Sequence, residues 1–191
     1  MRRRAFVTGA LGFLSGVACS DPVVRRAPAG PIGPDPRGGI LVVIAPARTR
    51  GGVIRVASVP IAGGAAARPI LLGACVASTH FVALVPPGPQ LLIAYDDDDY
   101  DGAEAMIAPG AIYAVATDRD EGDLELRPLL PGEHSVRRLL DETDRVELAR
   151  APKKREVEAF ERKVRLGRIR YAEYSAKKRA ARAIGPAHAW R

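Results

Sequence analysis

Apolar residues between positions 40 and 129 come in short, β-branched clusters punctuated by Pro and Gly. Residues 40–44 run up to Pro46 and residues 53–59 up to Pro60. Segments 69–73, 79–85, 90–95, 103–108, 112–117 and 124–129 repeat the theme. Short segments rich in Val, Ile and aromatics, about 8–12 residues apart, are the pattern of strands in two facing sheets. Nothing between them is long and periodic enough for a crossover helix, which disfavours a parallel α/β sheet. Pro86-Pro87-Gly88 and Pro109-Gly110 fall between strands as turns, where Pro presets φ and Gly supplies a positive φ. The expectation is a mainly β chain, an antiparallel β-sandwich over residues 39–130.

Beyond Pro131-Gly132 the period lengthens. Val136, Leu139 and Leu140 stand at i, i+3 and i+4 and predict a short helix over 135–143, within a helical cap spanning 131–149. A long helix is expected from Lys153 to Ile184, with Gly185-Pro186 as its stop. Its apolar stripe is Val157, Phe160, Val164, Gly167, Tyr171 and Tyr174, one narrow face with Gly167 as a gap. Such a stripe suits packing on the sandwich or on a second copy.

The start of the chain has a different grammar. Three arginines at 2–4 precede an apolar run over 5–18, shorter than the roughly 20 residues of a membrane-spanning helix. Basic residues, an apolar stretch and small residues before Cys19 are the order of a lipoprotein signal peptide, residues 1–18. Cys19 is then the acylated residue, a membrane anchor. Gly16 stands where such cleavage sites usually have Leu. Ser20, rather than Asp, after the cysteine points to the outer membrane, with the protein facing the periplasm. Residues 19–38 are Pro- and Gly-rich without apolar period and read as a tether. Two other readings are a short buried helix over 5–18, or plain secretion with Cys19 bridged to Cys75. If Cys19 is acylated, Cys75 is left as a lone thiol on a strand.

Composition removes whole classes. With 19 Gly and 16 Pro in 191 residues and only 2 Cys, the chain is neither collagen-like nor a disulfide-rich mini-protein. The net charge of +7 is unevenly spread: residues 5–149 hold 12 basic and 18 acidic side chains, residues 150–191 hold 14 and 4. An acidic domain with a basic tail implies an anionic partner for the tail, or a tail that packs on its own domain. Lys153, Lys154, Arg155, Lys177, Lys178 and Arg179 are the candidates for an anionic surface, whether phospholipid, another envelope component or an acidic protein. Nucleic acid is the usual partner of such clusters, but the export leader argues against it. Tyr171, Tyr174 and Trp190 could stack on bases, yet their spacing suits helix packing equally.

Candidate chemistry is sparse. Asp97, Asp99, Asp101 and Gly102 reproduce the opening of a calcium loop, but position twelve is Ala108 where a bidentate Glu is needed. The plainer reading is a solvated hairpin tip. His80, His134 and His188 have no metal-ligand spacing, and no nucleophile elbow or phosphate loop appears. No cofactor is implied. The expectation is a non-catalytic structural or interaction module. The alternatives are an exported hydrolase or calcium-dependent carbohydrate-binding domain using the acidic loop, and a nucleic-acid binder using the basic helix.

The order of turns and strands also carries a resemblance. An apolar strand before Pro46, then 70–73, then Pro86-Pro87-Gly88 between two strands, then Pro109-Gly110-Ala111-Ile112-Tyr113 leading into another, covers residues 39–130. This resembles a domain-of-unknown-function family of bacterial envelope lipoproteins. Gln90 and Ala114 depart from that pattern, which has a His or charged residue and a second tyrosine there. The resemblance implies a prealbumin-like β-sandwich and carries over no catalytic residue.

Overall fold

The computed structural model describes residues 23–190 except 29, 50, 51, 63–66, 121 and 133. The leader and Cys19 lie outside the described residues. Among the described residues ten strands are present: β1 (Val24–Arg26), β2 (Gly39–Ala45), β3 (Ile54–Pro60), β4 (Ile70–Cys75), β5 (Thr79–Val85), β6 (Gly88–Tyr95), β7 (Tyr100–Ile107), β8 (Ile112–Asp120), β9 (Asp123–Leu129) and β10 (Asp144–Leu148). The described helices are α1 (His134–Asp141), α2 (Lys154–Glu173) and α3 (Ala176–Arg182), followed by a 3₁₀ turn at Pro186–His188. All eight expected strands form, and Gly88 (φ 99°) and Gly110 (φ 70°) take the positive φ that the two Pro-Gly turns require.

The fold is mainly β, two sheets face to face. One sheet runs β1-β10-β5-β2-β8-β9 and the other β4-β3-β6-β7. Most pairs are antiparallel, but β2 pairs with β8, and β10 with β5, in parallel. The expected mainly β, antiparallel-rich sandwich is what forms, with these two parallel pairings within it. Five strands, β3–β7, lie between β2 and β8 in sequence, so a crossover helix is not needed.

Two short strands escaped the pattern. β1 lies in the stretch that reads as tether, and β10 in the stretch that reads as helical cap. β1 pairs with β10 in the register Val24↔Leu148, which attaches residues 24–26 to the folded body. Their sequences, VRR and DRVEL, bury only Val146. A strand with one buried side chain leaves no alternation to read.

Three apolar layers follow from the sheets. Between them lie alternate residues of each strand, among them Leu41, Val43, Val56, Leu92, Tyr113 and Leu126. On the outer face of the six-stranded sheet, α1 places Val136, Leu139 and Leu140 against Ile40, Val42 and Ile44. On the outer face of the other sheet, α2 places Phe160, Val164, Tyr171 and Tyr174 against Val59, Leu91 and Ile93. All seven residues of β2 are buried because both its faces are covered, which explains its unbroken apolar sequence.

The stripe on α2 therefore packs on its own sandwich. Gly167 is the seat for Ile93: a Cβ there would lie 2.6 Å from Ile93 Cγ2. Val157, at the other end of the stripe, remains 39% exposed. The expected single helix is broken after Glu173. Ser175 begins α3, its Oγ accepting from the Lys178 N–H at 3.2 Å. A serine there competes for backbone hydrogen bonds and starts a new helix. The chain then runs extended past α3. Ile184 pairs with the free edge of β7, donating to Glu104 O and accepting from Met106 N, both at 2.8 Å. Trp190 bridges to Ile112 at the start of β8. No described helix is long and apolar enough to cross a membrane.

Candidate functional site

The acidic run Asp96–Asp101 is the most polar feature that the fold partly buries. It turns from β6 into β7, and β7 begins at Tyr100, so its second half is strand and not the expected loop. Asp96 organises the turn: its Oδ1 accepts from Asp98 N at 2.9 Å and Asp99 N at 2.8 Å. Its other oxygen pairs with Arg119 Nη2. Asp97 is exposed, and its backbone oxygen accepts from Lys163 Nζ at 2.6 Å.

Asp99 and Asp101 stand two residues apart and therefore point to one side of the chain. That side faces β9, the edge strand of the opposite sheet. Beyond its pairing with β8, β9 has outward N–H groups without a partner strand. Asp99 Oδ2 accepts from Leu124 N at 2.6 Å, and Asp101 Oδ2 from Leu126 N at 2.7 Å. Two carboxylates at i and i+2 of one edge thus satisfy two N–H groups at i and i+2 of the other. This side-chain ladder covers an edge that would otherwise invite pairing with another chain.

A carboxylate buried as deeply as Asp101, 1% exposed, needs a cation. Arg182 of α3 supplies it, its Nη1 on Asp101 Oδ2 and its Nη2 on Glu125 of β9. Tyr174 Oη donates to Asp101 Oδ1 at 2.5 Å. Arg170 of α2 reaches Asp99 Oδ1 at 2.9 Å and Asp123 Oδ2 at 3.4 Å. The basic segment therefore folds back on its own acidic edge, the second of the two possibilities raised by the charge split.

Of the predicted metal candidates, Asp99 and Asp101 are taken up by arginines, a tyrosine and backbone N–H groups, and Asp97 points away from them. Among the described residues no three His, Cys, Asp or Glu side chains converge as a metal set would. The six predicted anion-binding residues divide. Lys178 Nζ lies 4.0 Å from the centroid of the Tyr174 ring. Arg179 lies over Tyr171 and donates to Tyr174 O at 3.0 Å and Ala172 O at 2.9 Å, closing the C-terminal turn of α2. These two therefore also make contacts within the fold, and Arg179 remains exposed. Lys153, Lys154, Arg155 and Lys177 are exposed, as are Arg162 and Arg165 on the outer side of α2. Sequence reasoning missed Arg119, Arg170 and Arg182. The legible signal was the alternation Asp99, Asp101, Ala103, Ala105, Ile107, a strand face that extends into the acidic run.

His80 is buried beside the end of α1. Thr143 Oγ1 donates to Leu139 O at 2.6 Å, so the 2.9 Å contact with His80 Nδ1 makes that nitrogen the donor. Burial first, and then the Arg145 charge, lower its pKa.

The buried acids set a pH limit. Burial pushes the Cys75 thiol from 9.0 up to about 12, and the Tyr95 phenol from 10.0 to about 12. Tyr171 is likewise raised to about 12, by burial and then by nearby Glu104. Tyr174 is raised by burial and then by its bond to Asp101. The fold holds all four protonated while the unfolded chain ionises at the ordinary values, so above them the unfolded state binds fewer protons. Stability is fully present below about pH 9 and falls as pH rises toward about 12. The urea midpoint is expected to drop between about pH 8.5 and pH 11, and Tyr171→Phe to make that drop shallower. A midpoint level across this range would show that the rings are not held neutral by the fold.

No protein family, no curated protein and no solved structure matches this chain.

Proposed function

We propose that the chain is an envelope lipoprotein, anchored through acylated Cys19 at the outer membrane and facing the periplasm, whose body is a non-catalytic interaction module. The leader pattern over residues 1–18 supports the anchor. The observation that carries the module reading is the division of the basic segment into two faces. Its inward cations, Arg170, Arg179 and Arg182, are consumed in closing the fold on Asp99, Asp101 and the end of α2. Its outward cations, Lys154, Arg155, Arg162 and Arg165, project from a helix fixed on a rigid sheet. A row of fixed cations beside an anionic surface gains roughly 1 kcal/mol per residue, enough to orient a body already tethered by lipid. The partner is an anionic envelope component. The hydrolase and calcium readings stay as alternatives, and Asp99 and Asp101, which they would use, have internal partners.

Intact mass of the membrane-fraction protein tests the anchor. A leaderless chain carrying acyl mass is expected, with processing lost in Cys19→Ala. The double variant Arg155→Glu/Arg162→Glu is expected to lose cosedimentation with anionic vesicles while keeping its thermal midpoint, because neither side chain takes part in the clasp. A full-length, unmodified soluble chain would sink the lipoprotein reading and make polynucleotide the next ligand to try.

A further inference from the structure

Under the first turns of α2, before Phe160 reaches the sheet, helix and sheet leave a gap. A cavity of about 180 Å³ lies there, walled by Leu71 of β4, Leu148 at the end of β10, and Val157 and Phe160 of α2. The space opens to solvent and joins these apolar walls to the polar side chains of Arg55, Tyr95, Arg150 and Glu156, so an apolar guest would cover wall that is now exposed to water. The outward end of the stripe, Val157, lines this space and accounts for its own exposure.

The rim is polar and unbalanced. Arg55 and Tyr95 line both the cavity and the groove that opens from it along α2. Arg55 donates only a long bond, 3.3 Å, from Nη1 to Val53 O, and has no carboxylate partner among the described residues. The Tyr95 phenol is held neutral and is a donor at ordinary pH. Arg155 and Arg162 line the groove further out, also without an ion-pair partner among the described residues. The carboxylate at this rim, Glu156, is already gripped by Arg150 through two bonds of 2.8 and 2.7 Å and by Lys153 N at 2.6 Å. Asp96 is paired with Arg119, and Lys163 is bonded to Asp97 O. Arg55 is thus a guanidinium at the mouth of an apolar space, facing outward into an excess of positive charge.

We propose that this cavity binds a single-chain aliphatic carboxylate, its chain between α2 and the sheet and its head on Arg55 and Tyr95. The planar guanidinium fork matches a carboxylate in two parallel bonds. The space admits one chain and not a two-chain lipid. The inference stands apart from the anchor reading, since it uses no residue before the described body.

The test uses the full-length protein with octanoate and 1-octanol as matched probes in calorimetry, and the site variants below separate uptake by the cavity from uptake by the leader or anchor. Octanoate is expected to bind saturably at one site. Arg55→Gln is expected to weaken octanoate by about tenfold or more, the loss of one charge-assisted hydrogen bond, and to leave octanol unchanged. Val157→Trp fills the cavity and is expected to abolish both. Leu71→Phe is expected to do the same without altering α2, which covers the case in which the first variant shifts the helix. The proposal is overturned if octanoate does not saturate, if Arg55→Gln leaves its affinity unchanged, or if both filling variants still bind. Capture of anionic phospholipid vesicles without any octanoate binding overturns it as well.

Discussion

Asp101→Ala is expected to destabilise the protein by about 3–5 kcal/mol, the cost of removing one partner from a buried ion pair. Asp101 is 1% exposed and accepts from three directions: Leu126 N, Tyr174 Oη and Arg182 Nη1. Its loss leaves Arg182, whose side chain is 12% exposed, with Glu125 alone, and strips an acceptor from an edge N–H that water reaches poorly. Total stability of a domain is about 5–15 kcal/mol, so one substitution removes a large fraction of it. Chemical denaturation of Asp101→Ala, Arg182→Ala and the double variant checks the argument. The double loss should fall well short of the sum, because each single change already breaks the same pair. Additive losses, or an Asp101→Ala cost below about 1 kcal/mol, would mean that the carboxylate is not held as described.

Ile184→Ala is expected to cost about 2–5 kcal/mol, in the range for truncating a buried branched side chain that leaves a cavity. Ile184 is 2% exposed and belongs to the apolar layer between the sheets, although it lies beyond every strand in sequence. Its backbone is fixed by two 2.8 Å bonds to the edge of β7, so the side chain cannot be replaced by a shift of its neighbours. Ile169 of α2 is the control: it is 52% exposed, and its truncation should stay within about 0.5 kcal/mol. Equal effects at the two positions would show that residue 184 does not plug the core.

Most of the sandwich was legible because its strands are apolar, β-branched and bounded by Pro or Gly. β5 coincides with the expected segment 79–85, and the other seven differ only at their ends. Where legibility failed, the cause was local. β1 and β10 hold three and five residues with one buried side chain between them, so their existence is decided by the edge they cover. The break between α2 and α3 was hidden because residues on both sides are good helix formers and only Ser175 marks it. The stripe over Val157–Tyr174 was readable as a face, but not what it covers.

At the candidate site the difficulty was one of distance along the chain. Three aspartates in alternation resemble a metal loop, and nothing local says that their partners are arginines 71 and 81 residues later. The charge split gave the sum of that arrangement without its pairs. The alternation itself was present: Asp101, Ala103, Ala105 and Ile107 all point into the layer between the sheets. Cys19 lies outside the described residues, and its acylation rests on the leader pattern.

The strap formed by Arg182 and Ile184 also bears on the order in which the chain can fold. Synthesis delivers the chain from its N-terminal end, so the ten described strands emerge before the residues that neutralise Asp101 and plug the core. Until then the β7–β9 edge carries an uncompensated buried charge and an open core, and β1 has waited for β10, 122 residues downstream in the Arg25–Glu147 pair. Contacts this distant along the sequence form late. A nascent chain of this kind stays loose through most of its emergence and locks once, when its last residues arrive.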